Sequence, residues 1–196
     1  MQKIDLEKER RILDREITFF HFERAKRKIA KCIKESAAVN DIFFLSYFTA
    51  QKFIIRRDYE KAIKYLNICI KLRLDDGCSY NDKALCFAEF GKYEQAMAIF
   101  DRGIALSRDC ACLYHNKGWL LNKLGKFKQS IIYFQKALEL EGSRVEATFS
   151  LGDSYLKMGD THKAKKYFIL ALPEIKGKSS YVYKEIRKHL DRLQKK

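Results

Sequence analysis

Residues 145–178, VEATFSLGDSYLKMGDTHKAKKYFILALPEIKGK, set the frame for reading the rest of the chain. Residues 111–144, ACLYHNKGWLLNKLGKFKQSIIYFQKALELEGSR, align with them place for place. Gly118 meets Gly152 at the eighth place, Ser130 meets Ala164 at the twentieth, and Phe134 meets Phe168 at the twenty-fourth. The register continues upstream without a gap through 77–110 and 43–76. There the same places hold Ala84 and Ala50, Ala96 and Ala62, and Phe100 and Leu66. The thirtieth place is Leu72, Leu106 and Leu140, then Glu174. A fixed period of this length marks a solenoid, in which each unit buries its apolar face only against its neighbours.

Each block reads as two amphipathic helices around a turn at its fifteenth and sixteenth places. Gly91, Gly125 and Gly159 stand where a helix ends in a left-handed residue, and the first block has Arg57-Asp58 there instead. In 127–139, Phe127, Ser130, Ile131, Phe134, Ala137 and Leu138 recur at spacings of three and four, which predicts one apolar stripe. Small residues at the eighth and twentieth places let the paired helices approach, and the twenty-fourth residue fills the space beside them. One proline and nine glycines in 196 residues fit an all-α protein.

On these residues the chain resembles the tetratricopeptide-repeat family, whose pattern is Trp-x-x-Leu-Gly-x-x-Tyr, then Ala-x-x-x-Phe, then Pro. Leu151, Gly152 and Tyr155 with Ala164 and Phe168 match it best. Gly118 with Phe127, Phe134 and Ala137, and Ala84 with Tyr93, Ala96 and Phe100, follow. The closing proline is replaced by Leu74, Arg108, Gly142 and Lys176, and the Trp by Ser46, Tyr80, Tyr114 and Thr148. The resemblance implies an all-α, right-handed α-α superhelix of four repeats, 43–76, 77–110, 111–144 and 145–178. Residues 1–42 then read as a degenerate capping repeat, with Phe22, Ala25, Ile29 and Cys32 in register, and 179–196 as a basic capping helix. Ser179 and Ser180 are its candidate N-caps, and Val182, Ile186, Leu190 and Leu193 its apolar stripe. Pro173 is expected to end or bend the last repeat's second helix.

The resemblance also implies a concave groove lined by the first helices of the repeats. Its candidate partner-binding residues are Tyr47, Phe48, Gln51, Asn81, Leu85, His115, Asn116, Trp119, Asn122, Phe149 and Asp153. An amide such as Asn81 or Asn116 can donate to one backbone group of a peptide and accept from another. Trp119, Tyr47 and Phe149 offer large apolar contacts. Repeats of this family that clamp the acidic tails of heat-shock chaperones use Lys, Arg and Asn at five set places. Those places here are Tyr47, Gln51, Asp82, Cys112 and Asn116, or one repeat on, Asn81, Leu85, Asn116, Glu146 and Ser150. Only Asn116 fits, so that role is not expected.

No phosphate loop, nucleophile elbow or acid pair is legible, so no enzyme and no cofactor is expected. Cys110, Cys112 and His115 lack the spacing of a zinc finger and read as boundary residues rather than metal ligands. Cys69 takes a place where other repeats put Gly103, Ala137 and Ala171, and reads as a small filler. The start lacks a secretory signal and no stretch is long enough to span a bilayer, so a cytoplasmic location with reduced thiols is expected. The net charge of +15 gathers at the ends. Residues 1–35 hold eleven Lys/Arg against seven Asp/Glu, and 176–196 eight against two. Three partner classes follow: a protein or peptide in the groove, RNA on the basic outer helices and termini, and self-association through an incompletely capped end.

Overall fold

The computed structural model describes residues 4–18, 21–141, 145–175 and 180–194. Among them the chain forms eleven α-helices and no strand. They fall into two compact units, residues 1–107 and 108–196.

The first unit holds α1 (Leu6–Thr18), α2 (Phe22–Ala38), α3 (Ile42–Ile55), α4 (Tyr59–Leu72), α5 (Gly77–Glu89) and α6 (Tyr93–Leu106). Four of these helices begin on an aspartate whose carboxylate takes up an otherwise unpaired backbone N–H, the first being Asp5, which accepts from Lys8 N at 3.0 Å. Asp41 accepts from Phe44 N at 3.0 Å, Asp58 from Lys61 N at 3.2 Å, and Asp76 from Ser79 N at 3.0 Å. The turn between α3 and α4 lacks the glycine of the later repeats, and Arg57 takes the left-handed conformation itself, at φ 59°. Gly91 holds the equivalent place at φ 72° with open space where a Cβ would stand, so backbone conformation rather than room selects glycine there. Ala50, Ala62, Ala84 and Ala96 are fully buried with Leu66 and Phe100 beside them, as the packing register requires. Cys69 is likewise buried, its thiol 3.7 Å from the Phe43 carbonyl, as a filler should be.

The second unit holds α7 (Ala111–Lys123), α8 (Phe127–Glu141), α9 (Val145–Lys157), α10 (Thr161–Ile175) and α11 (Ser180–Gln194). Here the eighth-place glycines are required by contact. A Cβ on Gly152 would lie 2.6 Å from the Phe168 ring, and one on Gly118 would lie 2.9 Å from Phe134. Each helix pair is therefore drawn together until a phenylalanine ring touches bare backbone. α10 runs two residues past Pro173 to Ile175. The proline sits in the last turn, where the helix is about to end and few backbone bonds remain to be lost. In α11, Ile186 and Leu190 are buried in one cluster with Ala164, Phe168 and Ala171. Gly177, Ser179 and the side chains of Ser180 and Val182 lie outside the described residues. Among the described residues no helix is long and apolar enough to cross a membrane.

Candidate functional site

In the first unit, most of the candidate groove residues are buried inside the chain. Tyr47 and Gln51 are each 5 % exposed, Asn81 7 % and Phe48 0 %, while Leu85 stays half-buried. α1 is the reason. Leu6 and Leu13, one turn-pair apart on its face, share a core cluster with Phe43, Phe44, Tyr47 and Phe48 of α3. Between them Arg10 sets its guanidinium 5.1 Å from the Tyr47 ring centre and 5.8 Å from that of Phe43. The same guanidinium donates to Asp76 at 2.7 Å, and both side chains of that pair are nearly excluded from water. Asp76 is also the N-cap of α5, so one carboxylate fastens α1 and starts α5. Tyr47 and Phe48, expected from the sequence as lining, are turned into core by α1.

Beside this contact lies a polar cluster centred on Asp82. Gln51 Nε2 donates to one oxygen of Asp82, and Asn81 Nδ2 donates to the other at 3.1 Å. Burial raises the Asp82 carboxyl to about 7, and Cys78 and Asp14 push it the same way, while the two amide donors pull against them. The Tyr47 hydroxyl is raised as well, first by burial and then by Asp82. The consequence for stability has a definite sign. The folded-state value lies above the ordinary 3.8, so protonation favours the folded state. The contribution of Asp82 to stability is therefore fully present below about pH 4, is lost as pH rises toward about 7, and is constant above that. The expected loss across the window is about 2–4 kcal/mol. Asp82→Asn should flatten that slope in urea titrations between pH 4.5 and 8; an unchanged slope would place the titration elsewhere.

The second unit keeps more of its candidate face accessible. His115, Asn116 and Trp119 on α7, and Phe149 and Asp153 on α9, are all half-buried. Trp119 leans on the cluster of Ile131, Phe134 and Leu151, with Lys123 Nζ 5.3 Å from its ring centre. His115 lies 5.5 Å from the Phe134 ring and faces the Asn116 amide oxygen at 3.2 Å. Asn122 is 8 % exposed and belongs to an internal network. Its Nδ2 donates to Ser154 Oγ at 2.7 Å, and its carbonyl oxygen accepts from Lys157 Nζ at 2.7 Å. Lys157 also pairs with Asp153 at 2.8 Å, and Ser130 Oγ stands 3.1 Å from Ser154 Oγ. Asn122 thus ties α7 to α9, and Asp153 holds the lysine from which Asn122 accepts, while His115, Asn116, Trp119 and Phe149 are only partly buried.

Sequence reasoning missed Arg10, Asp76 and Ser154. The seven-residue spacing of Leu6 and Leu13 signals the buried face of α1, with Arg10 midway on it. No local signal pairs Arg10 with a residue 66 positions away.

The family model described as tetratricopeptide repeat matches residues 79–110, 113–143 and 145–172. No curated protein matches the chain. Among solved structures, the crystal structure of MamA is 23 % identical at a TM-score of 0.61, covering 85 % of this chain and 96 % of that one. MamA from Desulfovibrio magneticus RS-1 is 19 % identical at 0.59, covering 91 % and 100 %. The first such repeat domain of Spaghetti (RPAP3), solved with the HSP90 peptide SRMEEVD, is 18 % identical at 0.55, covering 61 % and 94 %. At these identities the likeness is one of fold.

Proposed function

We propose, because this chain belongs to the tetratricopeptide-repeat family, that it is a non-enzymatic, cytoplasmic adaptor holding a peptide or helix of a partner protein. The observation that carries the reading is the contrast between the two units. α1 fills the candidate face of the first, while His115, Asn116, Trp119 and Phe149 remain half-exposed on adjoining helices of the second. Those four side chains combine an amide, an imidazole and two large rings, a set suited to an uncharged or amphipathic segment. Residues 1–42, on this reading, act as a degenerate capping repeat.

The RPAP3 domain binds an acidic peptide, but the places that would clamp such a tail hold Tyr47, Gln51, Asp82, Cys112 and Asn116 here, without a cation. An acidic tail is therefore a poor candidate occupant. RNA binding ranks second, supported by the cluster of Lys184, Arg187, Lys188 and Arg192 around Tyr183 on α11.

The test is affinity purification from the native cell with the wild-type chain and with Asn116→Ala/Trp119→Ala, comparing co-eluting proteins at matched helicity. A partner present with the wild type and lost with the variant is expected. Equal capture by both chains would remove this face from the account.

A further inference from the structure

Five of the six cysteines fall into two chemical groups, and Cys78 is partly buried. Cys32, Cys69 and Cys86 are almost wholly buried, and burial pushes their thiols up to about 11, 12 and 12. Such thiols hold their protons at neutral pH and are shielded from reagents, so they are inert.

Cys110 and Cys112 differ on every count. Both are half-exposed, and both stand at the start of α7. Cys110 is the N-cap residue and Cys112 lies in the first turn, where the exposed N–H groups of a helix favour negative charge. Their Sγ atoms are 3.0 Å apart. A disulfide requires about 2.05 Å, so the two sulfurs need to close by only about 1 Å. Reacting atoms held about 3–3.5 Å apart are already in a near-attack arrangement. A bond between residues two apart closes a very small loop and stabilises the fold little, so the link would serve as a switch rather than a staple.

We propose that Cys110 and Cys112 form a reversible dithiol site oxidised by hydrogen peroxide. One sulfur, as thiolate, attacks a peroxide oxygen; the O–O bond breaks and leaves a sulfenic acid and hydroxide. The second sulfur then attacks the sulfenic sulfur. Its proton and the departing hydroxyl leave as water, and the S–S bond forms. In sum, two thiols and one hydrogen peroxide give one disulfide and two waters; both sulfurs are oxidised and both peroxide oxygens are reduced. Formation of the link does not depend on the adaptor reading.

The experiment uses the full chain, a limited amount of hydrogen peroxide, alkylation of remaining thiols, and tryptic mapping. Both cysteines fall in the fragment 109–117, bounded by Arg108 and Lys117. That fragment should lose two hydrogens and resist alkylation, and dithiothreitol should reverse both changes. Cys86, buried in the first unit, serves as a reference and should be oxidised at least about tenfold more slowly. In Cys78→Ser/Cys110→Ser, oxidation should stop at a sulfenic acid on Cys112 that dimedone traps. Three results would overturn the proposal: full alkylation of both thiols after peroxide, oxidation no faster than that of Cys86, or a disulfide joining either thiol to another cysteine.

Discussion

Phe168→Ala is expected to lower the stability of the second unit by about 3–5 kcal/mol, the range for removing a fully buried phenylalanine. The ring is inaccessible to water, is pressed against the backbone of Gly152, and stands 5.8 Å from Phe149 and 5.1 Å from the His189 ring. Its loss opens a void that α9, α10 and α11 must all move to fill. Trp119, the only tryptophan and part of this unit, reports the transition by fluorescence in urea. The same contact sets the sign of Gly152→Ala. Helix propensity alone favours alanine by about 1 kcal/mol. The added methyl would sit 2.6 Å from two ring carbons, so the ring or the helix must shift. Overpacking of this kind costs about 1–3 kcal/mol, and a net destabilisation is expected. In the Phe168→Ala background that penalty should vanish and alanine should become favourable. Additive effects of the two substitutions would mean that the ring and the glycine are not coupled.

Arg10→Met should release α1 from the first unit. Methionine keeps much of the stem volume but removes the guanidinium, leaving the Asp76 carboxylate, 6 % exposed, without its cation. Breaking a buried ion pair from one side costs about 3–5 kcal/mol. The lower end is expected, because Asp76 retains the backbone N–H and hydroxyl of Ser79. Cation–π contact with Tyr47 and Phe43 is lost as well. Amide hydrogen exchange is the decisive readout. Protection should fall in α1 and in the first turns of α3 and α5, while α7 to α11 are unchanged. Arg10→Met with Asp76→Asn should recover part of the loss, since no bare charge then remains buried. Unchanged protection of α1 in the single variant would show that Leu6 and Leu13 alone hold the helix.

Local pattern was sufficient for the repeat itself. The eighth, twentieth and twenty-fourth places specify a close helix pair whatever surrounds them, and Gly118 with Phe134 and Gly152 with Phe168 meet as the register requires. The turn at Arg57 shows how far that local logic reaches. The residue lacks glycine's freedom, yet the helices on either side hold it in the left-handed region.

The groove was less legible, because place in a repeat determines which way a side chain points and not what arrives in front of it. Tyr47 and Trp119 are both large aromatics on first helices, and the sequence treats them alike. In the structure Tyr47 is sealed by Arg10 and its neighbours on α1, while Trp119 stays half-exposed. Asn81 and Asn116 diverge in the same way, one buried beside Asp82 and the other on the accessible face.

By itself the sequence determined the helices, their pairing and their core, since those depend on contacts between residues within about one repeat, where periodicity carries the information. Only the tertiary structure decided which candidate binding residues are available and which thiols can meet. Those outcomes depend on where α1 comes to rest, on a charge pair spanning 66 residues, and on atomic separations near 3 Å that no spacing rule encodes.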